Sequence, residues 1–354
     1  MRSKSLQAID KNVTRIPCDL AKIAWLRIKL AKMHSPDFLH KDAETGLCEH
    51  FMAAGALCRL VTNSEQILEA ARDSFLPAMP SAGAIDFSVR FWVDDTRPSR
   101  LPWPKPYVRG LDHLIFAGFD EDSSMLANLR KRHVIGRFSQ GMAADQAYYK
   151  HVVFPMLLTI VSASIGIAEL HAACVVSKQH GILLAGPSGS GKSTLALALA
   201  QCGFGFISDD RTFCCVQNDE VRVFGLTTQL KLRSESIRWF PELQTSESIP
   251  IRSDDADIWF EPEHLSGVRR CRHGRATSLI FLERMDAPEF RLSPMPEAEA
   301  LNRLTSELMP ESPEGIVKRS ETMKRVVELP CWLLHYGGKP DQIAQKICAH
   351  IGKS

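Results

Sequence analysis

The chain has 354 residues, 45% of them hydrophobic and 24% charged. That composition excludes disordered and fibrous classes and leaves room for two domains, or one domain with an added lobe. Forty-three basic residues against 41 acidic ones give a net charge of +2, so nothing global points to nucleic acid or an anionic membrane as partner. The ten cysteines include no CxxC pair, which argues against a zinc site and fits free thiols in a reducing compartment.

The first 17 residues lack an apolar core, so no signal peptide is read there and a cytoplasmic location is expected. Residues 18–33 carry apolar side chains at helical spacing and predict an amphipathic helix. Residues 63–75 predict a helix capped by Asn63 or Ser64. Residues 85–93 and 110–119 are rich in β-formers and predict strands, with a loop over 94–106 where four prolines fall. Residues 123–139 are ambiguous, a strand pair being one reading, and 144–164 predict a long helix.

The apolar run 152–168 is 17 residues long and is interrupted by Pro155, Thr159, Ser162 and Ser164. A spanning helix needs roughly 20 apolar residues, so a buried helix is expected and no membrane contact. From Glu169 onward short apolar runs alternate with glycine turns. This texture places a lobe boundary near 165–170, with an N-terminal α/β lobe over 1–165 and a second α/β domain over 166–354.

Within the second domain, "GPSGSGKS" fits the pattern G-x-x-x-x-G-K-[ST] at Gly186, Gly191, Lys192 and Ser193. A β-run precedes it and a helical run follows it, as a phosphate-binding loop requires. Gly186, Gly189 and Gly191 allow tight turns that aim backbone N–H groups at phosphate oxygens, and the helix adds its positive end. The expected nucleotide contacts are Gly186, Pro187, Ser188, Gly189, Ser190, Gly191, Lys192, Ser193 and Thr194, with Lys192 on the outer phosphates and Ser193 on Mg²⁺. A strand over 204–208 then ends in Asp209 and Asp210. Two adjacent carboxylates beside such a loop can divide labour, one holding metal and the other accepting a proton; a polar turn is the other reading of the pair.

The stretch from Leu170 to Asp210 resembles the catalytic core of HPr kinase/phosphorylase and its wider group of related kinases, which includes kinases that modify lasso-peptide precursors. The shared pattern is a histidine-bearing strand (His171), a hairpin, the loop Gly186 to Ser193, a helix, and an apolar strand ending in Asp209-Asp210. The resemblance implies a P-loop kinase core of the HPr kinase type with a mixed sheet, the N-terminal lobe selecting the acceptor. It implies Asp209 as general base and Asp210 on Mg²⁺ with Ser193. His171 would stand near the base or the transferred phosphate, or be a satisfied strand-edge histidine. Lys231 or Arg233 is placed at the site or in solvent. Residues 272–283 resemble the family's basic loop, so Arg272 or Arg275 is placed to neutralise charge on the transferred group, a solvated basic loop being the alternative.

Pro187 stands where the family has an acidic residue, Thr194 follows Ser193 where it has Glu, and its glycine-rich signature is missing around Gly225. These departures, with an unrelated N-terminal lobe, point away from HPr itself and from the phosphorylase reaction. The expected function is an ATP- and Mg²⁺-dependent kinase acting on a Ser or Thr hydroxyl of a peptide or protein, with assembly into homo-oligomers implied by the resemblance. A P-loop ATPase or a nucleotide-sensing regulator is the alternative. Leu265-Ser266-Gly267 matches only a fragment of an ABC signature and carries no weight.

Overall fold

The computed structural model describes residues 46–79, 84–94, 101–226, 230–244, 257–262, 265–305 and 313–351. The helix expected over 18–33 lies outside them. Thr45–Ser354 is one compact unit, a mixed α/β structure built on two mixed sheets.

The first sheet holds β1 (Leu47–Ala53), β2 (Ala56–Thr62), β3 (Leu76–Pro77), β4 (Phe87–Asp94), β5 (Tyr107–Leu111), β6 (Leu114–Gly118), β7 (Ser124–Asn128) and β8 (His133–Ser139). Their order across the sheet is β3-β1-β2-β4-β8-β7-β6-β5. The expected single strand over 110–119 is instead the β5–β6 hairpin, turned at Asp112-His113 with Asp112 at a positive φ of 52°. The ambiguous stretch 123–139 forms the β7–β8 pair.

The helix Glu65–Ser74 crosses between β2 and β4, and Ser64 caps it by accepting from the Ile67 N–H. Asn63 is used elsewhere: its amide exchanges two hydrogen bonds with the Val93 backbone. The long helix expected over 144–164 is broken into the pieces Gln146–Tyr148, a π-turn Tyr149–Val153 and Phe154–Ser162. Pro155 lacks the N–H that would continue an α-helical ladder, and the wider turn falls just before it. Phe154, Leu157, Leu158 and Val161 are buried there. Among the described residues no helix is long and apolar enough to cross a membrane.

The second sheet holds β9 (Ala168–Val176), β10 (Gly181–Ala185), β11 (Gly205–Ser208), β12 (Arg211–Gln217), β13 (Glu220–Phe224), β16 (Arg269–Arg270), β17 (His273–Arg275), β18 (Ser278–Arg284), β19 (Glu289–Pro294) and β20 (Cys331–Gly337), while β14 (Leu230–Arg233) and β15 (Asp257–Phe260) make a separate ribbon. Its inner strands are apolar on both faces because helices cover both. Ala173 and Val175 of β9, with Ile182 and Leu184 of β10, face the helices Lys192–Gln201 and Pro340–Ile351. Leu170, Cys174, Leu183 and Ala185 face the helices Glu297–Thr305 and Pro313–Val327. Period-two alternation between two covered faces gives a near-continuous apolar run, the pattern of a strand buried on both faces.

The two sheets share a core. Phe213, Cys215 and Phe224 of β12–β13 join the cluster formed by Phe51, Phe75, Phe138 and Phe154. The β1–β2 turn meets this hairpin at Gly55, at φ 91°, where a Cβ would stand 2.7 Å from the Phe224 ring. Replacing fully buried Phe213 by Ala should therefore cost about 3–5 kcal/mol, read as a lower denaturation midpoint. A loss under about 1 kcal/mol would show that the joint is not part of the core.

Candidate functional site

Strand β10 runs buried through the second sheet and ends at Ala185, where the glycine-rich loop begins. Gly186, Gly189 and Gly191 all take positive φ (147°, 83° and 92°). A side chain at Gly186 would stand 2.9 Å from the Leu282 carbonyl oxygen, and one at Gly191 would collide with the Tyr336 hydroxyl. Both positions thus need glycine for conformation and for space. Tyr336 donates to the Ser190 carbonyl at 2.6 Å, and the Ser190 N–H closes a turn onto the Pro187 carbonyl at 3.1 Å.

Gly191 is the N-cap of the helix Lys192–Gln201 and offers no side-chain cap, so the first-turn N–H groups are open toward the loop. Lys192 is buried, and its ammonium donates to the Gly186 carbonyl at 2.6 Å. The Ser190 Oγ is buried with no hydrogen-bond partner among the described residues.

The carboxylates enter from the other side. Strand β9 is long enough to pair antiparallel with β11 along one half and with β12 along the other, the register slipping between Phe206 and Ser208. Asp209 and Asp210 occupy the bend between β11 and β12. The Ser208 and Thr212 hydroxyls meet at 2.6 Å, and Thr212 donates to the Ala172 carbonyl at 2.8 Å, locking the bend from behind.

Asp209 is 7% exposed and accepts from the Lys231 N–H at 2.7 Å and from the Ser193 hydroxyl. Burial pushes its pKa up to about 7, and neighbouring Asp210 adds to the rise. Asp210 is half exposed and pairs with His171 Nε2 at 2.7 Å. Burial works to raise its pKa too, but the His171 hydrogen bond and the charges of His171, Arg211 and Lys192 outweigh it and hold the carboxyl below its ordinary range. Neighbours in sequence, the two carboxylates are driven in opposite directions.

One cavity of about 190 Å³ is lined by His171, Ser188, Gly189, Gly191, Lys192, Ser193, Thr194, Asp209 and Asp210, with Lys231 and Arg233. Gly186, Pro187 and Ser190 shape the loop behind it. Arg275 is not there. It lies on β17, opposite Arg222 in register, and pairs with Glu220 at 3.3 Å. Arg272 donates to the Arg72 and Phe75 carbonyls and fastens the first lobe. The basic loop expected near the site is therefore structural: the Arg275 backbone packs against Gly181, at the end of β10 opposite the glycine-rich loop. The arginines at the cavity are Arg233, which donates to the Ser188 hydroxyl at 3.3 Å, and Arg238 and Arg284. Tyr336 and Arg284 follow no motif in the sequence; parallel pairing of β18 with β20 sets them side by side. Leu265-Ser266-Gly267 lies outside the cavity lining.

The residues fit a bound nucleoside polyphosphate with Mg²⁺. Glycines leave room for phosphate against the backbone, open N–H groups and Lys192 supply positive charge, and Ser193 with the carboxylates supplies hard oxygen donors.

No family model matches the chain, and no curated protein does. Among solved structures it is similar to the Hpr(Ser) kinase/phosphatase from Coxiella burnetii, at 15% identity over 52% of this chain and 97% of that one, with a TM-score of 0.29. A likeness that weak carries no conclusion about the site.

The raised Asp209 pKa has a stability signature. The folded state keeps a proton that the unfolded state releases near 3.8, the ordinary value for an aspartate, so stability drains away as pH rises from about 4 to 7 and levels off above. Asp209→Asn removes that drain. In metal-free buffer its stability advantage over wild type, read from denaturation midpoints, should grow across that window, by at most about 1.4 kcal/mol per pH unit. A difference flat with pH would contradict the shift.

Proposed function

We propose that the protein is an ATP-dependent kinase with a P-loop core of the HPr kinase type, transferring the γ-phosphoryl group to a Ser or Thr hydroxyl of a peptide or protein. One observation carries this reading: the loop Gly186–Ser193, with Lys192 folded into it, shares a cavity with two carboxylates of opposite proton affinity, one hydrogen-bonded to Ser193. A nucleotide-binding loop alone would fit a switch as well. A buried carboxylate poised near neutrality beside it fits removal of a proton from an attacking hydroxyl.

In this reading the open amides of the loop and Lys192 hold the phosphates. Ser193 and Asp210 hold Mg²⁺, which when bound neutralises charge on the phosphate oxygens. His171 keeps Asp210 ionised and oriented through its 2.7 Å contact. Asp209, on the cavity wall, takes the proton from the acceptor hydroxyl. Arg233, touching the loop at Ser188, takes the charge-neutralising role expected of Arg275. Residues 1–165 select the acceptor and 166–354 do the chemistry.

The test is transfer of labelled γ-phosphate from ATP to candidate peptides and proteins. Lys192→Ala should weaken nucleotide binding about 10- to 100-fold, the loss of a charged hydrogen-bond donor. Asp209→Asn should lower transfer about 100-fold or more with nucleotide affinity retained. Asp210→Asn should instead raise the Mg²⁺ concentration needed for half-maximal rate. Exchange of those two phenotypes would swap the carboxylate roles, and hydrolysis that acceptor saturation does not suppress would favour an ATPase.

A further inference from the structure

The large sheets end in edges that are guarded in different ways, with one exception. Strand β3 is two residues long and contains Pro77, β17 is three residues long and carries His273 and Arg275, and β19 carries Glu289 and Arg291 and ends in Pro294. Short length, charge and proline are the usual defences of a strand edge. Strand β5 has five residues, a single charge at Arg109, no proline and an unbroken register with β6, and every residue is exposed. Tyr107, Val108 and Leu111 are 52%, 48% and 77% exposed, and no described residue pairs with its outer side.

The ladder shows which groups that edge presents. The Phe119 N–H bonds the Ser123 carbonyl and the Leu129 N–H bonds the His113 carbonyl, so the odd-numbered residues of β6 face β7. Leu114, Phe116 and Gly118 then face β5 and bind its Leu111, Arg109 and Tyr107. The backbone N–H and C=O groups of Val108 and Gly110 therefore point outward. Tyr107, Arg109 and Leu111 share one sheet face, on which an added antiparallel strand would set its side chains closest, at the non-hydrogen-bonded positions.

We propose that β5 is the docking edge for an extended segment of the acceptor, which joins the sheet antiparallel as a ninth strand. Its alternate residues are apolar opposite Leu111, acidic opposite Arg109 and apolar opposite Tyr107. The charge requirement comes from Arg109, which is exposed and makes no ion pair with a described residue. A second copy of this chain fits worse: symmetric pairing about the middle of β5 sets Arg109 against Arg109, a destabilising like-charge pair. Naming the partner as the acceptor rests on the kinase reading, whereas the docking edge does not.

The probe is a fluorescein-labelled heptapeptide, Thr-Phe-Thr-Glu-Thr-Leu-Thr, titrated into the full chain and followed by anisotropy. Val108→Pro removes an outward N–H without touching a β5–β6 hydrogen bond and should weaken binding about tenfold or more. Arg109→Glu should weaken it similarly and restore it for the peptide with Lys in place of Glu. Circular dichroism and nucleotide affinity should match wild type in both variants. No binding to wild type, or equal binding to Val108→Pro, would overturn the proposal. So would a concentration-dependent dimer that Val108→Pro abolishes, since the edge would then belong to a second copy. Docking without phosphate transfer to any acceptor would fail the kinase reading alone. Transfer undiminished in Val108→Pro would fail the docking edge alone.

Discussion

The backbone ladder of β9 holds both halves of the site in one frame. One edge of this strand pairs with β10, whose end releases the glycine-rich loop, and the other is shared by β11 and β12, whose junction is Asp209-Asp210. Neither the loop nor the carboxylates could shift without breaking hydrogen bonds in the buried middle of a sheet covered on both faces. The bend at the carboxylates is held separately, by Thr212 on the Ala172 carbonyl. Rigid strands on each side are what a site needs when it must set a phosphate against a proton acceptor.

Within that frame, two adjacent aspartates acquire opposite characters. The chain reverses at them, so one side chain turns into the protein and the other toward His171 and solvent. Asp209 loses hydration, and the hydrogen bonds it gains from the Lys231 N–H, its own N–H and the Ser193 hydroxyl do not offset that loss, so its neutral form is favoured. Asp210 keeps half of its surface and gains an imidazole partner and nearby cations, so its charged form is favoured. Local sequence cannot make this distinction, because both are aspartates in the same dipeptide.

The two sheets are joined by apolar packing. Gly55 lets the β1–β2 turn lie against Phe224 and Cys215, and Phe213 completes an aromatic cluster rooted in the first sheet. Arg272 contributes by donating to two carbonyls of the first lobe. The basic stretch 268–275 thus reads as a clasp between the second sheet and the helix Glu65–Ser74, and an edge-strand ion pair. The same edge logic separates the guarded strands β3, β17 and β19 from β5, whose outward groups follow from the parity of the ladder.

Much of the second sheet and its glycine-rich loop was legible in the sequence. The apolar run before Gly186 and the alanine- and leucine-rich run after it could be little other than a buried strand and a helix, and three glycines at those spacings demand a tight loop. The strand before Asp209 follows from the same periodicity. The first lobe was harder. The hairpin turn at Asp112-His113 has no glycine to mark it, the continuous apolar run hides the π-turn just before Pro155, and β1 and β2 carry weak alternation.

What the sequence determined by itself was local chemistry: which residues can form a phosphate-sized loop, which helix follows it, and that two carboxylates come next. Tertiary structure decided the assignments that depend on distance through space. It placed Arg233 and Arg284 at the cavity and Arg275 away from it, put Tyr336 against Gly191, and gave Asp209 and Asp210 opposite proton affinities. A strand order can set residues 146 positions apart in contact while separating near neighbours, and burial acts on the folded surroundings of a charge, which no short stretch of sequence contains.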